Sequence, residues 1–250
     1  MKEGLYSEAL RNIKNLSLEE KNYKQVFGLN ITSNDPTNRV YAYDDSILTN
    51  VRSIIFSKSA SNSKVYLGRN LKGDVVINVQ QNNSIVYIGD DCNLRNTEIR
   101  TQALGATVLI GNRVSTTGKN VWLTGSFPGS EFSSIIIGDD CLFSNDVTIR
   151  GSDGHPIMTY DFQKQINAPT NYVVIEPYVW IGQDVKILKG VRIGACSIVG
   201  IASVITRIIP RFSVARGVPA IFSRCEGIWI KNRTEKAMKI AKYYLDKYNS

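Results

Sequence analysis

The stretch R-G-S-D-G-H-P, residues 150–156, holds the only histidine among 250 residues. One imidazole cannot supply a three-histidine metal centre. The four cysteines, Cys92, Cys141, Cys196 and Cys225, lie far apart without a C-x-x-C pair, so no metal site is expected. What a lone imidazole can do is move a proton, because its ordinary pKa of about 6.5 lies close to working pH. The plain alternative is a loop residue with no duty. Asp153, two residues earlier, offers a carboxylate that orients the imidazole, binds a substrate hydroxyl or holds an Asx-type turn. Gly151 and Gly154 let this segment turn sharply, and Pro156 stiffens its exit.

The elements around it follow a beat of six. Ile175, Ile181, Ile187, Ile193, Val199 and Ile205 place an aliphatic residue at every sixth position. Val179, Val185, Val191, Ser197 and Ser203 keep the same period four positions later, and Gly follows at 182, 194 and 200. Neither a helix nor simple strand alternation has this period. It predicts a solenoid of short flat strands, three hexads to a triangular coil, with stacked coils burying a continuous core. Upstream, "LG" at 67–68 and "IG" at 88–89, 110–111, 137–138 and 181–182 recur as coil markers, spaced widely enough to require inserted loops. Cys92 and Cys141 sit in matching phrases, "IGDDCN" and "IGDDCL", and all four thiols read as buried structural ones. The predicted domain spans 61–224, with loops at 115–134 and 151–174; His155 lies in the second, where a rigid scaffold would carry function.

The ends differ. Residues 1–60 form an extension, partly helical from the spacing of Leu5, Ala9, Ile13 and Leu16. In 225–250, Ala237, Ile240, Ala241, Tyr244, Leu245 and Tyr248 share one helical face opposite lysines, which suits a cap on the open solenoid end. A net charge of +8 makes an anionic partner plausible, although no basic run reads as a nucleic-acid motif. No apolar run has signal-peptide or membrane-spanning length, so a cytoplasmic protein without stable membrane insertion is expected.

The stretch V-W-I-G-Q-D-V-K-I-L-K-G-V-R-I-G-A-C-S-I-V-G-I-A-S, continuing to R-G-V-P-A at 216–220, resembles the hexapeptide-repeat acyltransferases. The likeness is to the galactoside, maltose and capsular-polysaccharide O-acetyltransferase branch, over roughly residues 60–224. It implies a left-handed parallel β-helix, a homotrimer with active sites between subunits, and acetyl-CoA as co-substrate. On this resemblance His155 is the general base, and Trp180 borders the acetyl-thioester and could offer its indole N–H. Trp180 could equally be a corner aromatic.

The resemblance also implies a coenzyme A track through Gly182, Gln183, Gly200, Ile201 and Ala202. Basic groups for the phosphates are Lys189, Arg207, Arg216 and Arg224. Turn geometry explains the glycines equally well. Ile201 stands where the family usually has Ala, and Arg216 where it has a small residue. The implied reaction is acetyl transfer to a sugar hydroxyl. N-acetyl transfer to an amino sugar and a non-catalytic scaffold are the alternatives.

Overall fold

The computed structural model describes residues 22–125, 132–167 and 172–249. Among these, the strands form three sheets of eight, stacked along one axis. One coil shows the path. It runs through Val75–Val79 on the first sheet, Ile85–Ile88 on the second and Asn93–Leu94 on the third, then returns to the first at Thr97–Thr101. Pairing is parallel except at the two ends, where Lys24–Gln25 and Ile221–Arg224 run antiparallel. This is the expected parallel β-solenoid.

Each sheet sends one column of side chains inward. On the first sheet it is Ile77, Ile99, Trp122, Ile149, Ile187 and Ile205, in register and fully buried. All six hexad aliphatics from Ile175 to Ile205 are at most 1% exposed, and the companion column Val179, Val185, Val191, Ser197 and Ser203 is at 0%. Each such large side chain contributes about 1.5–3 kcal/mol. Trp122 takes the place of an isoleucine in the coil where the third sheet supplies only Thr116, so a large residue is matched to a small one.

The coil markers need one correction. Ile137 pairs with Ile175, and Ile181 lies on the third sheet, so the fifth "IG" belongs to a different corner. The glycines of the first four are required by stacking: a Cβ on Gly68 would lie 2.4 Å from the backbone of Gly89. All insertions fall at one corner, between the first and second sheets. We call this the loop corner. The corner between the second and third sheets is the helix corner, and the third corner is bare.

Boundaries shift as well. Ser115–Thr116 and Asn120–Leu123 are solenoid strands, and Tyr172–Ile175 is another, so the two excursions narrow to 124–133 and 151–171. The solenoid also starts well before residue 61, since Arg39–Ala42 and Val51–Phe56 already pair into the sheets. A 3-10 turn, Asp45–Asn50, closes this first coil by burying Ile47 and Leu48. The helix expected over Leu5, Ala9, Ile13 and Leu16 lies outside the described residues.

The C-terminal helix α1 (Glu235–Tyr248) forms as expected, with Thr234 as its N-cap and Ala237, Ala241 and Tyr244 buried. It lies along the helix corner, however, and does not cover the solenoid end. Tyr178 stacks on Trp229 at 4.6 Å and on Tyr244 at 4.8 Å, and Tyr244 donates to Asp140 at 2.5 Å. The end is closed instead by the hairpin of Ser213–Arg216 and Ile221–Arg224, with Ala215 and Ala220 buried.

Candidate active site

The His155 loop leaves the first sheet at Arg150 and is folded into a clasped hairpin. Gly151 is needed because a Cβ there would lie 2.9 Å from Ser133 Oγ and 3.1 Å from Thr124, so the two excursions touch at their bases. Gly154 adopts φ +89°, which disfavours any side chain. Met158 and Gln165 form an antiparallel bridge, and Ile166 N–H donates to Ile157 at 2.8 Å. Ile157, Met158, Tyr160, Phe162 and Ile166 all point into solvent.

Asn167 and Lys189 hold this hairpin. Asn167 Nδ2 donates to the His155 carbonyl and to Asp153 Oδ2, both at 2.8 Å, and its Oδ1 accepts from Ile157 N–H at 2.7 Å. Lys189 Nζ donates to Asp153 Oδ2 at 2.7 Å and to the Asn167 carbonyl at 3.0 Å. The hydrogen bond from Lys189 holds the Asp153 carboxyl below its ordinary range. Two expectations change here. Asp153 makes no hydrogen bond to the imidazole; it fastens the loop. Lys189, expected among the phosphate-binding groups, is engaged in that clasp. Asn167 had no local signal, because its partners lie 10 to 14 residues away. The His155 imidazole is exposed and, among the described residues, unpartnered.

Trp180 sits elsewhere. It projects from the third sheet, 38% exposed, above Leu142 and below Ile198. The width of the second sheet separates it from the loop corner, so one chain does not bring His155 and Trp180 together.

The cofactor candidates divide in the same way. Gly182, Gln183, Gly200, Ile201, Ala202 and Arg216 climb the bare corner, where Ala202 N–H donates to the Gln183 carbonyl at 2.8 Å. Gly182 serves coil stacking, since its Cβ would lie 2.8 Å from Ile201 N. Gly200 is different: a Cβ there would come no nearer than 3.4 Å to Arg216 Cβ and 3.6 Å to the Ala215 carbonyl, ordinary contacts. Exposed Ile201, Val218, Ile221 and Phe222 make the end of the solenoid apolar. Arg207, Arg216 and Arg224 are exposed there and, among the described residues, unpaired. Arg207 lies on the loop-corner side, and Arg224 ends the terminal strand.

Burial pushes the thiols of Cys92 and Cys196 up to about 12, and that of Cys141 in the same direction, which makes them inert. Cys225 departs from this, being half-buried in the outer strand region. Among the described residues no cluster of His, Cys, Asp and Glu could hold a metal, and no helix is long and apolar enough to cross a membrane.

No model of a known protein family matches the chain. A putative lipopolysaccharide biosynthesis O-acetyl transferase of Escherichia coli is 30% identical over 142 residues, 54% of this chain and 72% of that protein. The chain belongs to the hexapeptide-repeat O-acetyltransferases. A polysialic acid O-acetyltransferase of Escherichia coli is 33% identical over 137 residues, covering 55% of this chain and 42% of its relative. The chain therefore spans less than half of that protein. The crystal structure of a polysialic acid O-acetyltransferase superposes with a TM-score of 0.66 at 22% identity, over 87% of this chain and 99% of that one. In this member of the family, then, the loop corner and the third sheet with its bare corner each carry part of the candidate site.

Proposed function

We propose that this chain transfers acetyl from acetyl-CoA to a hydroxyl of a carbohydrate acceptor, with His155 as general base. The observation that carries the reading is an exposed, uncommitted imidazole on a loop clasped by Asp153, Asn167 and Lys189. Acetyl-CoA supplies an acetyl group already activated as a thioester. His155 takes the proton of the acceptor hydroxyl as its oxygen bonds to the acetyl carbon, and returns that proton to the departing thiolate. One base is enough for this chemistry, and such a base contributes about 10²–10⁴-fold. Trp180 walls the acetyl group, and its indole N–H offers a donor to the oxygen that becomes negative.

Coenzyme A fits the end of the solenoid. Gly200 leaves backbone open, Ile201 and Phe222 offer apolar surface, and Arg207, Arg216 and Arg224 match phosphate. The active site is shared within a homotrimer. His155 and Trp180 stand on different edges of one chain, and the five exposed apolar side chains of the hairpin favour cover by a neighbouring subunit. The acceptor is a unit of a surface polysaccharide, a reading supported by the relatives' names.

The test is thermal shift with acetyl-CoA, followed by detection of free CoA thiol with a panel of acceptor glycans. A donor should raise the melting temperature by mass action. No shift and no thiol release would leave a non-catalytic solenoid.

A further inference from the structure

The C-terminal segment roofs a cavity of about 320 Å³ on the outer face of the third sheet. Its floor includes Leu142, directly beneath Trp180, with Ser115 and Asn93 in the next coils down. Trp229 forms one wall, its ring 6.2 Å from that of Trp180. The Trp229 N–H is already donated to the Tyr178 carbonyl at 2.9 Å and one face of its ring is stacked on Tyr178, so a ligand meets only the apolar surface of the indole that remains.

Two ammonium groups, Lys231 and Lys236, line the same cavity. Lys231 donates to Ser115 Oγ at 3.2 Å. Among the described residues neither lysine has a carboxylate partner. Of the other charges, Arg113 is bound to Asp140 through two hydrogen bonds, while Asp91 accepts an amide N–H from Asn70 at 2.9 Å and keeps its charge, so the three cations and two carboxylates of the lining leave it net positive. An indole surface beside hydroxyl and amide groups suits a sugar ring, and a net positive lining with two lysines outside any ion pair suits a carboxylate on it. The volume is at the small end of the roughly 300–1,000 Å³ of ligand pockets, which favours one sugar unit over a length of polymer. Its position fits too. The residues matched to coenzyme A lie in the coil of Trp180 and above it, and the cavity lies below it.

We propose that this cavity binds a carboxylate-bearing sugar unit of the acceptor, so that a neighbouring hydroxyl reaches the acetyl group at Trp180. The role rests on the acetyltransferase reading, whereas the binding can be measured without it. The full chain, free of acetyl-CoA, is titrated with oligosialic acid, with oligogalacturonic acid, and with each oligomer after reduction of its carboxyls to alcohols. Tryptophan emission reports binding, because Trp229 lines the cavity, with the Trp180 ring 6.2 Å from it, while Trp122 is sealed in the core.

At least one acidic oligomer should bind about tenfold more tightly than its reduced form. The double variant Lys231→Ala/Lys236→Ala, at two exposed positions, should lose that advantage and keep the acetyl-CoA thermal shift. Equal binding of acidic and reduced forms, no binding of either acid, or an unaltered double variant would overturn the proposal. If charge-dependent binding holds but acetyl-CoA gives neither shift nor thiol release, the acetyltransferase reading falls and the acidic-sugar site stands.

Discussion

The loop corner and the bare corner belong to the same coils, yet they obey different rules of length. Across the loop corner, inward side chains are 11 positions apart from Ile77 to Ile88, 26 from Ile149 to Ile175 and 6 from Ile187 to Ile193. Across the bare corner the spacing is only 5 from Leu94 to Ile99 and 6 from Val199 to Ile205. The bare corner takes no insertion because coils touch there backbone to backbone, as at Gly182 against Ile201. At the loop corner an extra residue simply projects outward. One corner is therefore fit for a long, regular track, and the other for an adaptable loop, the one that carries His155.

The strongest way to break this division of labour is at the base. His155→Ala should lower kcat by about 10²–10⁴-fold and leave the acetyl-CoA thermal shift in place, because the imidazole acts only in the transition state. His155 is exposed, so folding is not at risk. Near wild-type turnover would remove the loop corner from the chemistry. Reassembling inactive His155→Ala with Trp180→Ala subunits should restore activity, since some mixed trimers would hold an intact site between chains. Silence in verified hetero-trimers would put both residues to work within one chain.

A second prediction concerns the helix corner. There Glu176 stands where earlier coils have glycine, fully buried, accepting from Arg192 Nε at 2.6 Å, Arg211 Nε at 2.6 Å and Ala195 N–H at 2.9 Å. Burial alone would raise its carboxyl, but the bonds from Arg211, Ala195 and Arg192 outweigh that and hold it below the ordinary value. Glu176→Gln should cost about 2–4 kcal/mol, because two guanidiniums lose a buried counter-charge. The folded value is depressed, so this stabilisation is present above the unfolded pKa of 4.5 and is lost as pH falls through the folded value. Urea midpoints should therefore separate variant from wild type at neutral pH and converge in acid. A constant gap down to low pH would mean that the carboxylate's charge is not what matters.

Glu176 also explains what the sequence could and could not disclose. From Ile175 to Ile205 the hexads are uninterrupted, so strand, core column and coil length all follow from spacing. A six-residue period does not say which corner a given Gly occupies, and that is why Ile181–Gly182 passes for the successor of Ile137–Gly138. The true successor carries Glu176 in place of glycine. The helix and its apolar face are legible at Ala237, Ala241 and Tyr244, but their partners Tyr178 and Asp140 lie 51 and 104 residues from Trp229 and Tyr244. His155 stands out by being single. The clasp around it does not, because Lys189 meets Asp153 across 36 residues.

A smaller effect tests the phosphate contacts at the end of the solenoid. Arg207→Ala and Arg224→Ala should each weaken acetyl-CoA by about three- to tenfold and leave acetyl-pantetheine almost untouched, since the truncated donor lacks the nucleotide phosphates. Equal losses with both donors would assign these arginines to structure.

The smallest expected change separates the two possible duties of Lys189. If its ammonium holds the clasp, Lys189→Met should lower kcat about three- to tenfold by loosening the His155 hairpin, and should weaken acetyl-CoA and acetyl-pantetheine alike or not at all. If it bound a phosphate, the loss would appear with acetyl-CoA alone. The acid limb gives an independent reading. Asp153 is held below its ordinary value of 3.8 chiefly by the Lys189 hydrogen bond, so the clasp is fully formed above 3.8 and opens as pH falls through the lower folded value. Without Lys189 the Asp153 carboxyl moves back up, and the loop should open at higher pH. Limited proteolysis at Lys164, in the turn of the hairpin, would follow that opening directly. Cleavage in the variant should be faster at neutral pH and should rise earlier on acidification than in the wild type. Identical cleavage curves would mean that the hairpin keeps its shape without the Asp153–Lys189 pair, and the adaptable corner would then owe its order to contacts beyond this clasp.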